Sequence, residues 1–142
     1  MFRPAWLALL VSGLLAACAT VPGTQHTPSL EATQWHLVSI AGRSLAIPKT
    51  PTIDLRFLEG RVHFHGCNAL SGRYIQEGSR LQVPKGFVGT RMSCNDELMA
   101  LDSAATHLLQ QGVTTQLGEA RLVLQGEAER WTFERAAASS AP

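Results

Sequence analysis

The sequence is poor in charge, in aromatic residues and in long apolar runs. Asp, Glu, Lys and Arg make up 16% of its 142 residues, aromatic residues 6%, and the formal net charge is +1. Lysine occurs only at Lys49 and Lys85, and removal of a leader carrying Arg3 leaves eleven cationic side chains against eleven acidic ones. Such neutrality excludes the basic footprint of a nucleic-acid-binding protein and argues against electrostatic attachment to an anionic membrane. The charge is also too sparse for a wholly disordered chain. A Walker loop, a dinucleotide-binding glycine fingerprint, a His-Glu-x-x-His metal motif and a Gly-x-Ser-x-Gly nucleophile turn are all missing. The usual sequence marks of nucleotide, zinc-protease and serine-hydrolase chemistry are therefore absent. What is plentiful is glycine, with twelve residues, and proline, with seven. That supply of turn formers suits a strand-rich fold better than a helical bundle.

The N-terminus reads as an address. Residues 1–17 hold Met-Phe-Arg-Pro, an apolar run from Ala5 to Leu15, and Ala16-Ala17 before Cys18. The run is shorter than the roughly 20 residues of a bilayer-spanning helix, so a removable signal peptide is expected. Leu15-Ala16-Ala17-Cys18 resembles the lipobox of bacterial lipoproteins. That resemblance implies cleavage before Cys18 and its acylation; at about 0.8 kcal/mol per buried methylene, several acyl chains give a stable anchor. An ordinary secretory leader with an incidental cysteine is the competing reading. Ala19 rather than Asp follows Cys18, which by the same likeness favours the outer membrane, with the domain facing the periplasm. Residues 18–30 then read as lipidated cysteine and flexible tether, and residues 136–142, Ala, Ser and Pro without charge, as a disordered tail. The folded unit is expected at 31–135.

Alternation dominates that unit. Ile53, Leu55 and Phe57 share one face, as do Val62 and Phe64, and Glu59-Gly60 between them reads as a hairpin turn. Further hairpins are expected from Gly72–Gln76 to Arg80–Val83 and from Val113–Leu117 to Arg121–Gln125, with strands at Thr33–Ile40 and Arg130–Arg135. One segment departs: Leu98, Leu101, Ala105 and Leu108 recur at helical spacing, with Asn95 to cap the start, Asp96 and Glu97 in the first turn and Gly112 as a stop. The fold class expected is mainly β (α+β), an antiparallel barrel-like sheet of about seven or eight strands with one helix.

Three stretches carry a family resemblance. They are Thr33-Gln34-Trp35 through Gly42; Gly66-Cys67-Asn68-Ala69-Leu70-Ser71-Gly72-Arg73-Tyr74; and Thr90-Arg91-Met92-Ser93-Cys94. In this order they resemble the META domain, the family that includes HslJ-like bacterial lipoproteins, and the closing Leu122-Val123-Leu124 and Trp131-Thr132-Phe133 strands extend the likeness over the whole folded unit. The signature positions are Gly66, Cys67, Asn68, Ser71, Gly72, Tyr74, Thr90, Met92 and Cys94. The resemblance implies a small antiparallel barrel-like sheet with a helix, in a cell-envelope and stress context, and it implies no reaction. One departure is Ala104-Ala105, where members often carry a larger apolar residue, which questions how the helix packs.

Several side chains invite a chemical reading. With Cys18 acylated, Cys67 and Cys94 remain, an even number in an oxidising compartment. Paired, they close a loop of about 28 residues, for which chain entropy gives about 3–4 kcal/mol; unpaired, they are inert thiols or one reactive one. His63, His65 and Cys67 alternate, so a continued strand aims them at one face, where two imidazoles and a thiolate suit zinc or copper. Gly66 and a Cys67 disulfide both work against that site, and His36 joins it only from an adjacent strand. Ser71, Ser93, His107 and Asp102 are the residue types of a hydrolase without its motif. Asn68, Ser71 and Gly72 fit turn geometry. Trp35, Tyr74, Trp131 and Phe133 fit a core. Pro84–Arg91 reads as an exposed loop, with Lys85, Arg91 and Phe87 available to a partner.

The function expected is therefore a non-enzymatic, lipid-anchored envelope module, without cofactor. Its partners would be the membrane, through the lipid, and an envelope protein or component, not nucleic acid. The alternative is a metal- or small-ligand-binding periplasmic barrel using His63 and His65 or the barrel interior.

Overall fold

The computed structural model describes residues 28–137. The leader, the acylation expected at Cys18 and residues 138–142 of the expected tail lie outside the described residues. In chain order the elements are β1 (Thr33–Ala41), β2 (Asp54–Leu58), β3 (Arg61–His65), β4 (Ala69–Arg73), β5 (Ile75–Glu77), β6 (Arg80–Gln82), β7 (Val88–Gly89), α1 (Asp96–Gln111), β8 (Val113–Leu117), β9 (Arg121–Gln125) and β10 (Arg130–Arg135). Among the described residues, ten strands replace the seven or eight expected. The extra two come from the polar signature segment, which folds as β4, and from two residues of the Pro84–Arg91 loop, which pair with it as β7.

The strands pair antiparallel in the order β5-β6-β8-β9-β10-β1-β2-β3-β4-β7. β4 runs into β5 through the single residue Tyr74, so the chain itself links one end of the order to the strand beside the other end and curls the sheet into a barrel-like half-barrel. Leu55, Phe57, Val62, Phe64, Leu122, Leu124, Trp131 and Phe133 point inward from alternate positions and are almost fully buried. Glu59 and Gly60 have φ of 54° and 70°, the left-handed pair of a two-residue turn whose twist matches the flanking strands.

α1 covers one end of the barrel. Asn95 Oδ1 accepts from Leu98 N at 3.0 Å, Asp96 and Glu97 occupy the first turn, and Gly112, at φ 92°, ends the helix. Its buried stripe is Leu98, Leu101, Asp102, Ala104, Ala105, Leu108 and Leu109. Ala104 and Ala105 are each 3% exposed. Their short side chains let the helix settle closely onto the Leu55, Phe64, Leu124 and Trp131 layer, leaving no room even for water. The interior is thus filled by its own side chains, against the expectation of a ligand-holding barrel.

The opposite end is closed by the N-terminal segment. Leu30, assigned to the tether from sequence, is fully buried, and Thr33 Oγ1 donates to its carbonyl. Trp35 Nε1 donates to the same hydroxyl at 2.7 Å. On the other boundary Ala136 N donates to Gln34 O at 2.9 Å. The fold therefore takes in one residue at each end that composition alone gave to tether and tail.

Candidate functional site

Gly66, Cys67, Asn68, Thr90, Met92 and Cys94 of the signature meet at the helix end of the barrel, where the turn after β3 lies against α1. Cys67 and Cys94 form a disulfide with Cα atoms 5.9 Å apart. It ties this turn to the residue preceding the Asn95 cap. Asp102, on the buried stripe of α1 and 7% exposed, grips the same turn. Its Oδ1 accepts from Cys67 N at 3.0 Å, and its Oδ2 accepts from Asn68 N and Asn68 Nδ2, each at 2.9 Å. A buried carboxylate needs such donors, because leaving it unpaired in the core costs several kcal/mol, about 3–5 by analogy with broken buried ion pairs.

Asn68 links this grip to the Thr90–Cys94 segment. Asn68 Oδ1 accepts from Thr90 Oγ1 at 2.9 Å and from Met92 N at 2.6 Å, and Nδ2 also donates to Met92 O at 3.4 Å. Thr90 Oγ1 in turn accepts from Ala69 N at 3.1 Å. The amide of Asn68 has two donors and one doubly accepting oxygen, and all of these are taken. The expected local turn bonding is corrected: Asn68 works across more than twenty residues of sequence. Gly66 belongs to the same knot, since a Cβ there would overlap Asp102 Oδ1. Gly72 is required by packing too, as a Cβ would lie 2.5 Å from Val83 Cγ1 and 2.7 Å from Gly86 O.

Ser71 and Tyr74 of the signature are similarly engaged. Ser71 Oγ accepts from Arg61 Nε at 2.8 Å. Tyr74 packs edge-on against Phe57, with ring centroids 5.3 Å apart, and its hydroxyl donates to Glu31 Oε2 at 2.7 Å. Gly60 N donates to the same oxygen at 3.3 Å. Burial, then the hydrogen bond to Glu31 and its negative charge, push the Tyr74 phenol up to about 12. The Tyr74 bond leads the causes that hold Glu31 below the ordinary carboxylate range. Met92 contributes only its backbone, its side chain being 59% exposed.

The metal and hydrolase constellations do not assemble. β3 ends at His65, Cys67 is spent in the disulfide, and among the described residues no three His, Cys, Asp or Glu side chains are placed to hold a metal ion. His36 sits on β1, separated from β3 by β2, and its Nδ1 lies 2.6 Å from Asp54 Oδ1. Among the described hydrogen bonds no hydroxyl or thiol joins that pair. Asp102 faces the core while His107 and Ser93 are exposed, so the hydrolase types never meet. Trp35, Trp131 and Phe133 are core residues. The Pro84–Arg91 loop is anchored by half-buried Phe87 and by β7, and presents Val88 at 69% exposure.

The sequence missed Asp102 as the organiser of the knot. A signal was available: a carboxylate on the apolar stripe between Leu101 and Ala105 demands buried partners.

A family model described as the META domain matches residues 28–138. The chain belongs to the META domain family. No curated protein matches the sequence. Among solved structures, this META domain is similar to a protein determined by NMR at 25% identity, with a TM-score of 0.63 over 74% of this chain and 90% of that one. A second NMR structure, from Burkholderia xenovorans, shares 20% identity and a TM-score of 0.63, covering 76% and 84% of the two chains. A DUF4847 family protein from Bacteroides vulgatus shares 14% identity and a TM-score of 0.52, covering 74% and 93%. The last two likenesses are of fold alone.

Proposed function

We propose that this META domain is a non-enzymatic, lipid-anchored module of the bacterial cell envelope, held through Cys18 on the periplasmic side of the outer membrane, and acting by binding at a surface. The observation that carries the non-enzymatic part is saturation: Asn68, Asp102, Thr90, Ser71 and Tyr74 all spend their polar side-chain atoms on other parts of the protein. Catalysis needs a nucleophile or base free to reach substrate. The Leu15-Ala16-Ala17-Cys18 lipobox supports the anchor, and Ala19 supports the outer membrane.

Intact-mass measurement of protein extracted from its own membranes tests the reading. The expected species begins at an acylated Cys18. An unacylated species retaining residues 1–17, or cleaved elsewhere, overturns the anchor. Turnover of a substrate, abolished by a single polar substitution, overturns the non-enzymatic role.

A further inference from the structure

The outer face of β2, β3 and β4 gathers cations that the sequence scatters. Side chains alternate along each strand, so burial of Leu55, Phe57, Val62 and Phe64 turns Arg56, Arg61, His63 and His65 outward, and β4 turns Ser71 and Arg73 the same way. In register, Arg61 stands directly opposite Arg73, and Arg56 opposite His63. Directly opposed residues have Cβ atoms about 5 Å apart, a separation at which like charges repel. Arg61 is oriented by Ser71, through Nε to Oγ at 2.8 Å and Nη2 to the carbonyl at 3.4 Å. The ion pairs among the described residues are His36–Asp54 and Arg43–Glu129, and neither neutralises these arginines. Of the carboxylates nearby, Asp54, on the same outer face of β2, is taken by His36, Glu31 is taken by Tyr74 and Gly60, and Glu59 lies in the β2–β3 turn without pairing.

Position selects the partner. Arg61 and Arg73 flank Gly60 and Tyr74, both bonded to Glu31, three residues after Pro28. The chain thus joins the barrel at the end where the arginines cluster, opposite to α1. Pro28 lies ten positions after Cys18, a reach of at most about 35 Å. We infer that Arg56, Arg61 and Arg73 form a docking face for the phosphates of anionic lipid headgroups, which lays the β2–β4 side of the barrel on the membrane and turns α1 away from it. This rests on the anchoring proposed above and names the surface the anchored domain touches. Near an anionic leaflet each arginine gains roughly fivefold in occupancy, so three give on the order of a hundredfold.

Arginine footprinting on the full-length protein tests the face. The protein is reconstituted on vesicles of phosphatidylcholine alone or of equal parts phosphatidylcholine and phosphatidylglycerol, treated with a dicarbonyl arginine reagent, and mapped by mass spectrometry. The expected result is modification of Arg56, Arg61 and Arg73 slowed about tenfold or more on the anionic vesicles and restored by high salt. Arg43, Arg80 and Arg130, near the helix end, should react equally on both. The double substitution Arg56→Gln and Arg73→Gln touches no described side-chain hydrogen bond and should free Arg61 for modification with the melting temperature retained. Acylated protein whose three arginines react equally on both vesicles overturns the docking face and leaves the anchor standing. Unacylated protein protected on anionic vesicles overturns the anchor and leaves the face standing. Uniform protection of all six arginines, or equal protection by inorganic phosphate without vesicles, refutes a lipid-facing site.

Discussion

Asp102 is the point where the architecture can be broken most selectively. Substitution Asp102→Ala removes the acceptors of three hydrogen bonds, from Cys67 N, Asn68 N and Asn68 Nδ2, and strands those donors against the helix. Charge-assisted hydrogen bonds contribute about 1.5–3 kcal/mol each, but three that share one carboxylate are not additive. The loss of one partner from a buried charged group, about 3–5 kcal/mol, is the better guide. Against a total stability of about 5–15 kcal/mol for a domain of this size, that removes about a fifth of the margin or more. Urea unfolding followed by tryptophan fluorescence measures it: with a slope near 2 kcal/mol per molar, the midpoint should fall by about 2 M.

The conservative variant sharpens the test. Asp102→Asn can keep its oxygen where Oδ2 accepts twice, but its amide then faces Cys67 N, donor against donor, so about 1–3 kcal/mol should go. Gly66→Ala attacks the same knot from the other side, because its methyl group overlaps Asp102 Oδ1; about 1–3 kcal/mol is expected from overpacking. Ser103→Ala, exposed on the adjacent helix position, should stay within about 0.5 kcal/mol of the parent. An Asp102→Ala protein as stable as Ser103→Ala would refute the claim that the carboxylate holds the turn to the helix.

Reduction of Cys67–Cys94, separated by 27 residues, should cost about 3–4 kcal/mol and leave the protein folded, since Asp102 still grips the turn; equal melting temperatures with and without reductant would contradict this. The folded-state phenol of Tyr74 is raised from its ordinary 10 to about 12, so the stability it lends is complete below pH 10 and lost as pH rises towards 12. Because Tyr74 is the sole tyrosine, ultraviolet titration reads it directly, and Tyr74→Phe should abolish that alkaline loss; an ordinary phenolate titration refutes it. Glu31 has the opposite sign: its depressed carboxyl lends stability above its ordinary 4.5, lost on further acidification. Glu59, held at φ 54°, should gain about 0.5–1 kcal/mol on replacement by Asn, a residue at ease in the left-handed region, and a lower urea midpoint would count against the turn assignment.

Local patterns made most of the fold legible. α1 was readable to both ends because its caps and apolar stripe lie within the segment itself: Asn95, Asp96, Glu97 and Gly112 act on the helix they flank. The Glu59-Gly60 hairpin was legible for the same reason. β4 was not, because Ala69-Leu70-Ser71-Gly72-Arg73 has one large apolar residue and reads as a turn; its strand form is imposed by β3 on one side and β7 on the other. Leu30 was misassigned because a lone leucine in a Pro, Ser and Glu context carries no periodicity. The knot was half legible: the cysteines and Asn68 stood out as types, but their meeting with Asp102 spans 34 and 35 residues.

The same distinction governs charge. The neutrality of the composition argued against contact with anionic surfaces, and as a statement about the average it stands. Yet a barrel-like sheet sorts residues by parity and register, and neither quantity enters a net charge. Arg56, Arg61 and Arg73 are spread over eighteen positions, but β2, β3 and β4 bring them to one outer face, with Arg61 and Arg73 in direct opposition. Gly66, Cys67 and Asn68 meanwhile turn inward on Asp102 and build the scaffold. In a protein so arranged, the residues of the knot around Asp102 hold the shape, and those free to meet a partner lie on the outer strand faces. Specific function should therefore follow the outward-facing positions of β2–β4: exchanging Arg56 and Arg73 should alter what the protein touches while the fold persists, whereas exchanging Asp102 should alter the fold itself.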